Sequence, residues 1–262
     1  MATWKGFIKV LVYFVLLLIA ACPSWAAHPL ITDDTGTQGK GKYQLELNGQ
    51  YDWDEEEVEG VSIKSAGGEV AGTLSYGIAE NVDLVFSMPY VWGKAEVNEI
   101  TEYDEKGIGD AVLEVKMRLF EKNGFSLAFK PGMSFPSGNE EKGLGTGKLG
   151  GHLFLIATQE LESWAFHANM GYIRNENNAD EHKDLWHASL ATTWEVVKDL
   201  NLVVNVGIER NPYDEAKNDP AFIIGGIIYS INEKIDVDLG AKCGLTEPET
   251  DFTLLTGVAF RF

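Results

Sequence analysis

From Lys42 onward the chain alternates between apolar and polar residues with a period of two. Tyr43, Leu45, Leu47, Tyr51 and Trp53 form one row, and Lys42, Gln44, Glu46, Asn48, Gln50 and Asp52 form the other. Successive side chains of a strand point to opposite faces, so this pattern predicts a strand with one greasy and one polar side. The same pattern recurs in Val82–Trp92, Ala111–Leu119, Phe125–Phe135, Trp164–Tyr172, Trp186–Val196, Leu202–Ile208, Ile235–Ala241 and Phe252–Phe262. Weaker segments at 67–77, 146–158 and 220–230 complete a set of about 12 strands. Each is roughly 10–12 residues long, enough for a tilted strand to cross a membrane.

The connections alternate as well. Short turns at 79–81, 121–123, 159–162, 198–199 and 232–233 separate longer polar stretches at 54–66, 94–107, 137–145, 175–183, 211–219 and 245–250. That sorting is expected of an all-β, antiparallel, up-and-down transmembrane β-barrel, with short periplasmic turns and long outward loops. In that topology Trp53, Trp92 and Trp186 fall at outer strand ends, and Trp164, Trp194, Tyr43 and Phe262 at inner ends. Each belongs to an apolar row, as two interfacial aromatic girdles require. The chain ends in an alternating strand closed by Phe262, which resembles the signal read by the barrel-assembly machinery; Leu255 departs from it where a polar residue is usual.

The first 26 residues read differently. Lys5 and Lys9 precede an apolar run from Val10 to Ala21, which is too short to span a bilayer as a helix, and Ser24-Trp25-Ala26 follows as a small-x-small cleavage site. Residues 1–26 are therefore expected to be a secretory signal, 27–41 a short segment able to tuck into the lumen as a constriction, and 42–262 the barrel. A rival cut at Ile19-Ala20-Ala21-Cys22 resembles a lipobox and would leave Cys22 lipidated, although Pro23 disfavours it. The expected destination is the outer membrane of a Gram-negative cell, reached by secretion through the inner membrane. The lipid and lipopolysaccharide there are expected partners.

Composition narrows the function. Across 262 residues, 40 acidic side chains face 21 basic ones. Removing the signal leaves 19 basic residues and a charge of −21. Such a surface repels phosphates and argues against nucleic acid. Two cysteines build neither a disulfide framework nor a cysteine-rich zinc site.

Several short motifs then gain meaning. His28-Pro29-Leu30-Ile31-Thr32-Asp33-Asp34-Thr35-Gly36-Thr37 and Gly39-Lys40-Gly41-Lys42-Tyr43-Gln44-Leu45-Glu46 are similar to the opening of the transporter family named for the MetA pathway of phenol degradation. Gly107-Ile108-Gly109-Asp110, Lys130-Pro131-Gly132, Pro136-Ser137-Gly138 and Lys142-Gly143-Leu144-Gly145 resemble its later motifs, in order. The resemblance implies an outer-membrane, transporter-like barrel. It carries over no catalytic residues and does not fix the cargo.

If the apolar rows face lipid, the alternate rows line the lumen. They supply Glu46, Glu114, Lys116, Arg118, Lys130, His152, His167, Glu195, Asp236, Asp238, Lys242 and Arg261, with Lys42, Asp52 and Glu209 beside them. A barrel of this size has room for a slender channel. The expectation is passive diffusion of small molecules, apolar or aromatic ones among them, through a charged lumen. A closed structural or binding barrel filled by its own ion pairs is the alternative. A lipid hydrolase comes last: His187-Ala188-Ser189 resembles the pair in outer-membrane phospholipase A, but the register turns both side chains inward, away from lipid. The acidic stretches Asp54–Glu59 and Glu102–Glu105 match no calcium loop. Gly143–Lys148 has the wrong spacing for a phosphate loop. No catalytic, cofactor or metal residues are assigned. His152 and His167 are expected as neighbours on adjacent strands.

Overall fold

A strand in a bilayer must satisfy its backbone polar groups through neighbouring strands, and only a closed sheet does so without leaving an edge. The computed structural model describes residues 28–58, 61–178, 181–213 and 216–262. The signal segment and Cys22 lie outside the described residues. The strand segments are β1 (Tyr43–Val58), β2 (Val61–Ala79), β3 (Val82–Val97), β4 (Ile100–Ile108), β5 (Ala111–Lys122), β6 (Phe125–Phe135), β7 (Gly150–Leu161), β8 (Trp164–Arg174), β9 (Asp184–Val197), β10 (Leu200–Glu209), β11 (Ala221–Asn232), β12 (Ile235–Gly244) and β13 (Phe252–Arg261). β3 pairs with β4 along Tyr90–Val97 and with β5 along Val82–Ser87. β4 and β5 thus share one position, interrupted at Gly109-Asp110. The result is a closed antiparallel barrel of 12 strands. The seam runs from Gln44↔Arg261 to Trp53↔Phe252 without a register shift.

Two stretches expected as outer loops are strand instead. β1 and β2 stay paired to Val58↔Val61, and β3 and β4 to Val97↔Ile100. Beyond the apolar band both sides of a strand meet water, so residues 54–58, 61–66, 94–97 and 100–107 keep the backbone ladder while losing the alternation that marks a strand in sequence. Asn98 and Glu99, at φ 49° and 68°, make the tight turn at the second tip. At the opposite end Asn123 and Gly124, at φ 54° and 76°, form a two-residue turn of the kind that matches strand twist.

The outward rows are bare. Leu155, Met170 and Leu190 are each 60% exposed or more, as side chains meeting hydrocarbon should be. At the short-turn end Trp164 stacks on Trp194 with ring centroids 5.1 Å apart. Trp53 meets Phe252 at 5.6 Å toward the other end.

The inner face corrects one expectation, since it is not ionic throughout. Phe222 and Ile224 of β11 pack with Leu255 of β13 as a buried cluster in the lumen. Ile156, Val203 and Ile228 are also buried inward. This explains the weak alternation near 220–230, where β11 is apolar on both faces.

Candidate functional site

Residues His28–Gly41 precede β1 and fold back into the barrel as a strap. Each turn of the strap finds an anchor on the wall. His28 Nδ1 lies 2.7 Å from Asp238 Oδ1. The Ile31 and Thr32 amides donate to Asn205 Oδ1 at 2.8 and 3.0 Å. Thr32 Oγ1 donates to Ser189 Oγ at 2.7 Å and accepts from Asn205 Nδ2 at 2.7 Å. The Thr35 amide donates to Thr158 Oγ1 at 3.2 Å, and its hydroxyl meets that of Ser126. The Gln38 amide donates to Asp83 Oδ2 at 2.9 Å. Glycines make the path: a Cβ on Gly240 would stand 2.7 Å from Pro29, and one on Gly226 2.8 Å from it.

The charged centre of the strap is Asp33-Asp34. Lys116 Nζ lies 2.9 Å from Asp33 Oδ1 and 3.2 Å from Asp34 Oδ1, and Lys130 Nζ lies 2.9 Å from Asp33 Oδ2. Glu114 completes the cluster, 3.3 Å from Lys130 and 2.8 Å from His152 Nε2. Burial alone would raise the Asp33 pKa. Lys116 and Lys130 outweigh it and hold this carboxyl below the usual carboxylate range.

The strap divides the lumen in two. Toward the short turns lies a chamber of about 230 Å³, lined by Glu46, Asp83, Glu114, Lys116 and Arg261 with hydroxyl and amide groups. Toward the long loops lies a vestibule of about 300 Å³, lined by Phe154, Ile173, His187, Glu209, Phe222, Lys242 and Glu249. Ile31, Asp33 and Lys130 border both. Lys130 stands 5.9 Å above the Phe154 ring, and Lys242 5.9 Å above that of Phe222. On the lipid side, a groove of about 420 Å³ between Leu113, Val115, Met133, Leu153 and Tyr172 reaches Pro131, Gly132 and Gly151, with His152 behind them.

The residues expected to line the lumen take different places. Glu46, Glu114, Lys116, Lys130 and Arg261 border the chamber, and Arg261 also pairs with Asp236. Asp238 holds His28, and Lys242 pairs with Glu249 at 2.6 Å. Arg118 turns to Glu121 at 3.2 Å, near the short-turn end. Glu195 lies at the same end of β9 and takes no part in the strap's anchorage. His152 and His167 are not neighbours, which corrects that expectation. The register pairs His152 with Ile173 and His167 with Thr158, six positions farther along β7. His167 Nδ1 meets Thr158 Oγ1 at 3.0 Å.

Sequence reasoning missed Asp33, Asp34, Asn205, Ser126 and Thr158 as site residues. Asn205, set between Val204 and Val206 on an inward position, was a readable signal. His187 Nε2 does reach Ser189 Oγ at 2.9 Å, and His187 Nδ1 lies 3.4 Å from Glu209. Both His187 and Ser189 are buried, and Thr32 covers the serine. The glycine motifs at the mouth serve Asp110, whose carboxylate accepts from the amides of Gly138 at 2.9 Å and Thr146 at 2.8 Å. No group of three or more metal-ligating side chains converges among the described residues.

The chain is similar in structure to an outer membrane channel from Pseudomonas putida F1, at 14% identity and TM-score 0.68, covering 93% of this chain and all of that one. It is also similar to the NanC porin, at 11% identity and TM-score 0.55, covering 82% and 98%. A mutant of the monoaromatic hydrocarbon channel TodX matches at 9% identity and TM-score 0.51, covering 85% and 90%. At these identities the likeness is one of fold, that of outer-membrane barrels. Comparison with the curated proteins gives no match. The family described as "Putative MetA-pathway of phenol degradation" matches residues 31–262, from the middle of the strap to the last strand, and the chain belongs to it.

Proposed function

We propose that this barrel is a passive channel of the Gram-negative outer membrane, passing small molecules through a charged lumen that the strap narrows. The observation that carries this reading is the division of the lumen by a segment held chiefly through ion pairs and hydrogen bonds. The wall continues past the strap on both sides, and Asp33 touches both spaces. The aromatic and aliphatic side chains of the vestibule favour apolar or aromatic cargo, in keeping with the family's description and with what TodX is named for. The reading contains no catalytic step. Phe262, paired to Tyr43 at the seam, is the proposed contact for the assembly machinery. The acidic hairpin tips would face lipopolysaccharide.

Refolded protein in planar bilayers should show stepwise currents in potassium chloride. Silence across voltages and salts would overturn the channel reading. It would favour the second one, a closed barrel that binds without conducting, which the dense anchorage of Thr32 and Asp33 supports.

A further inference from the structure

Among the described residues Asp33 is the one carboxylate that borders both chamber and vestibule, and its two oxygens are divided between two lysines, Lys116 and Lys130. Both lysines are buried, their side chains 11% and 17% exposed. If the strap withdraws, Lys130 retains Glu114 while Lys116 loses both of its ion-pair partners, Asp33 and Asp34, and a buried charge without a partner is costly. Opening is therefore easiest when another anion takes the vacated position. The approach from the vestibule fits one kind of anion. The Lys130 ammonium stands over the Phe154 ring, and Phe222 lines the same space. The rim carboxylates are already engaged, Glu249 by Lys242 at 2.6 Å and Glu209 by His187 at 3.4 Å. At about 300 Å³ the vestibule sits at the low end of ligand pockets, a size for one ring.

We propose that Lys130 and Lys116, with Phe154 and Phe222, form a binding site for a single-ring aromatic carboxylate, which Asp33 occupies at rest. The ligand's carboxylate replaces that of Asp33 on the two ammonium groups, its ring lies against Phe154, and the strap loses its central hold. The proposal deepens the channel reading and relies on it for the route, but the site itself is testable without any current.

The test is equilibrium dialysis of labelled benzoate against the refolded full barrel. Asp33→Asn removes the resident competitor and should bind benzoate about tenfold more tightly than wild type, the scale of one charge-assisted contact. Adding Lys130→Gln should abolish that gain. Phe154→Ala in the Asp33→Asn background keeps both lysines and should weaken benzoate while leaving acetate unchanged. Equal binding by wild type and Asp33→Asn would overturn the proposal. So would toluene matching benzoate, which makes the site merely apolar, or acetate matching it, which makes the ring irrelevant. Benzoate bound to a barrel that stays silent in bilayers would sink the channel reading and leave the site standing. Currents without benzoate binding would do the reverse.

Discussion

The spaces on either side of the strap differ in kind. The chamber near the short turns is walled by Glu46, Asp83, Glu114, Lys116 and Arg261, with Thr73 and Ser75 between them. The vestibule near the long loops mixes ions with Phe154, Ile173 and Phe222. A water-filled passage needs only the first kind of wall, because polar groups there exchange protein partners for water at little net loss. Aromatic rings in a lumen gain nothing from water, so on the proposed channel reading their place on the long-loop side of the strap would be where a solute sheds its hydration. Recognition and resistance would then be separated along the axis. The strap stands at the boundary.

Removing residues 28–39 should have the largest effect, because it merges the two spaces. Single-channel conductance should rise several-fold, and an unchanged value would mean that the strap is not the resistance. Lys116→Met comes next. It leaves Asp33 and Asp34 short of a buried partner, a change that costs about 3–5 kcal/mol when one member of such a pair is lost. The strap should detach more often, seen as longer open times and as proteolysis near residue 33. Phe222→Ala tests the other side of the boundary. It should lower barrel stability in urea by about 3 kcal/mol, as for other buried aromatic truncations, while leaving conductance in simple salt nearly unaltered. The smallest effect is that of acid. Asp33 is held ionised below the usual carboxylate range, so its contribution is full above the ordinary value and fades only as pH falls through the lowered one. Conductance should therefore stay level from about pH 8 to about pH 5. A marked rise within that window would place control in another group.

The wall was legible in the sequence because period-two alternation reports directly which side chains meet lipid. Trp186, Ala188 and Leu190 turn outward in β9, while His187 and Ser189 are buried inward. Legibility fails where that contrast fails. The β3–β4 hairpin above the membrane is wet on both sides, and β11 is apolar on both, so neither shows the signature. Contacts between strands were less readable still. The alternation within β7 and β8 leaves their relative register open, and the register alone separates His152 from His167. The strap has no periodicity at all. Asp33-Asp34 could be noticed as part of a family-like motif, but its meeting with Lys116 and Lys130, more than eighty residues away, depends on a chain reversal that no local pattern encodes.

The wall between β5 and β6 carries a consequence of its own. Pro131 has no amide hydrogen to give, and the paired rungs there jump from Glu114↔Gly132 to Met117↔Phe129. Gly132 pairs with His152 and Met133 with Gly151, so with no side chain on either glycine the outer groove reaches the backbone in front of the His152–Glu114 pair. The terminal junction, by contrast, is an unbroken ladder. Deuterium uptake should accordingly begin at the Val115 amide in mid-wall, since Lys116 stays paired with Asp83 of β3, well before it reaches the place where the two ends of the sheet were joined.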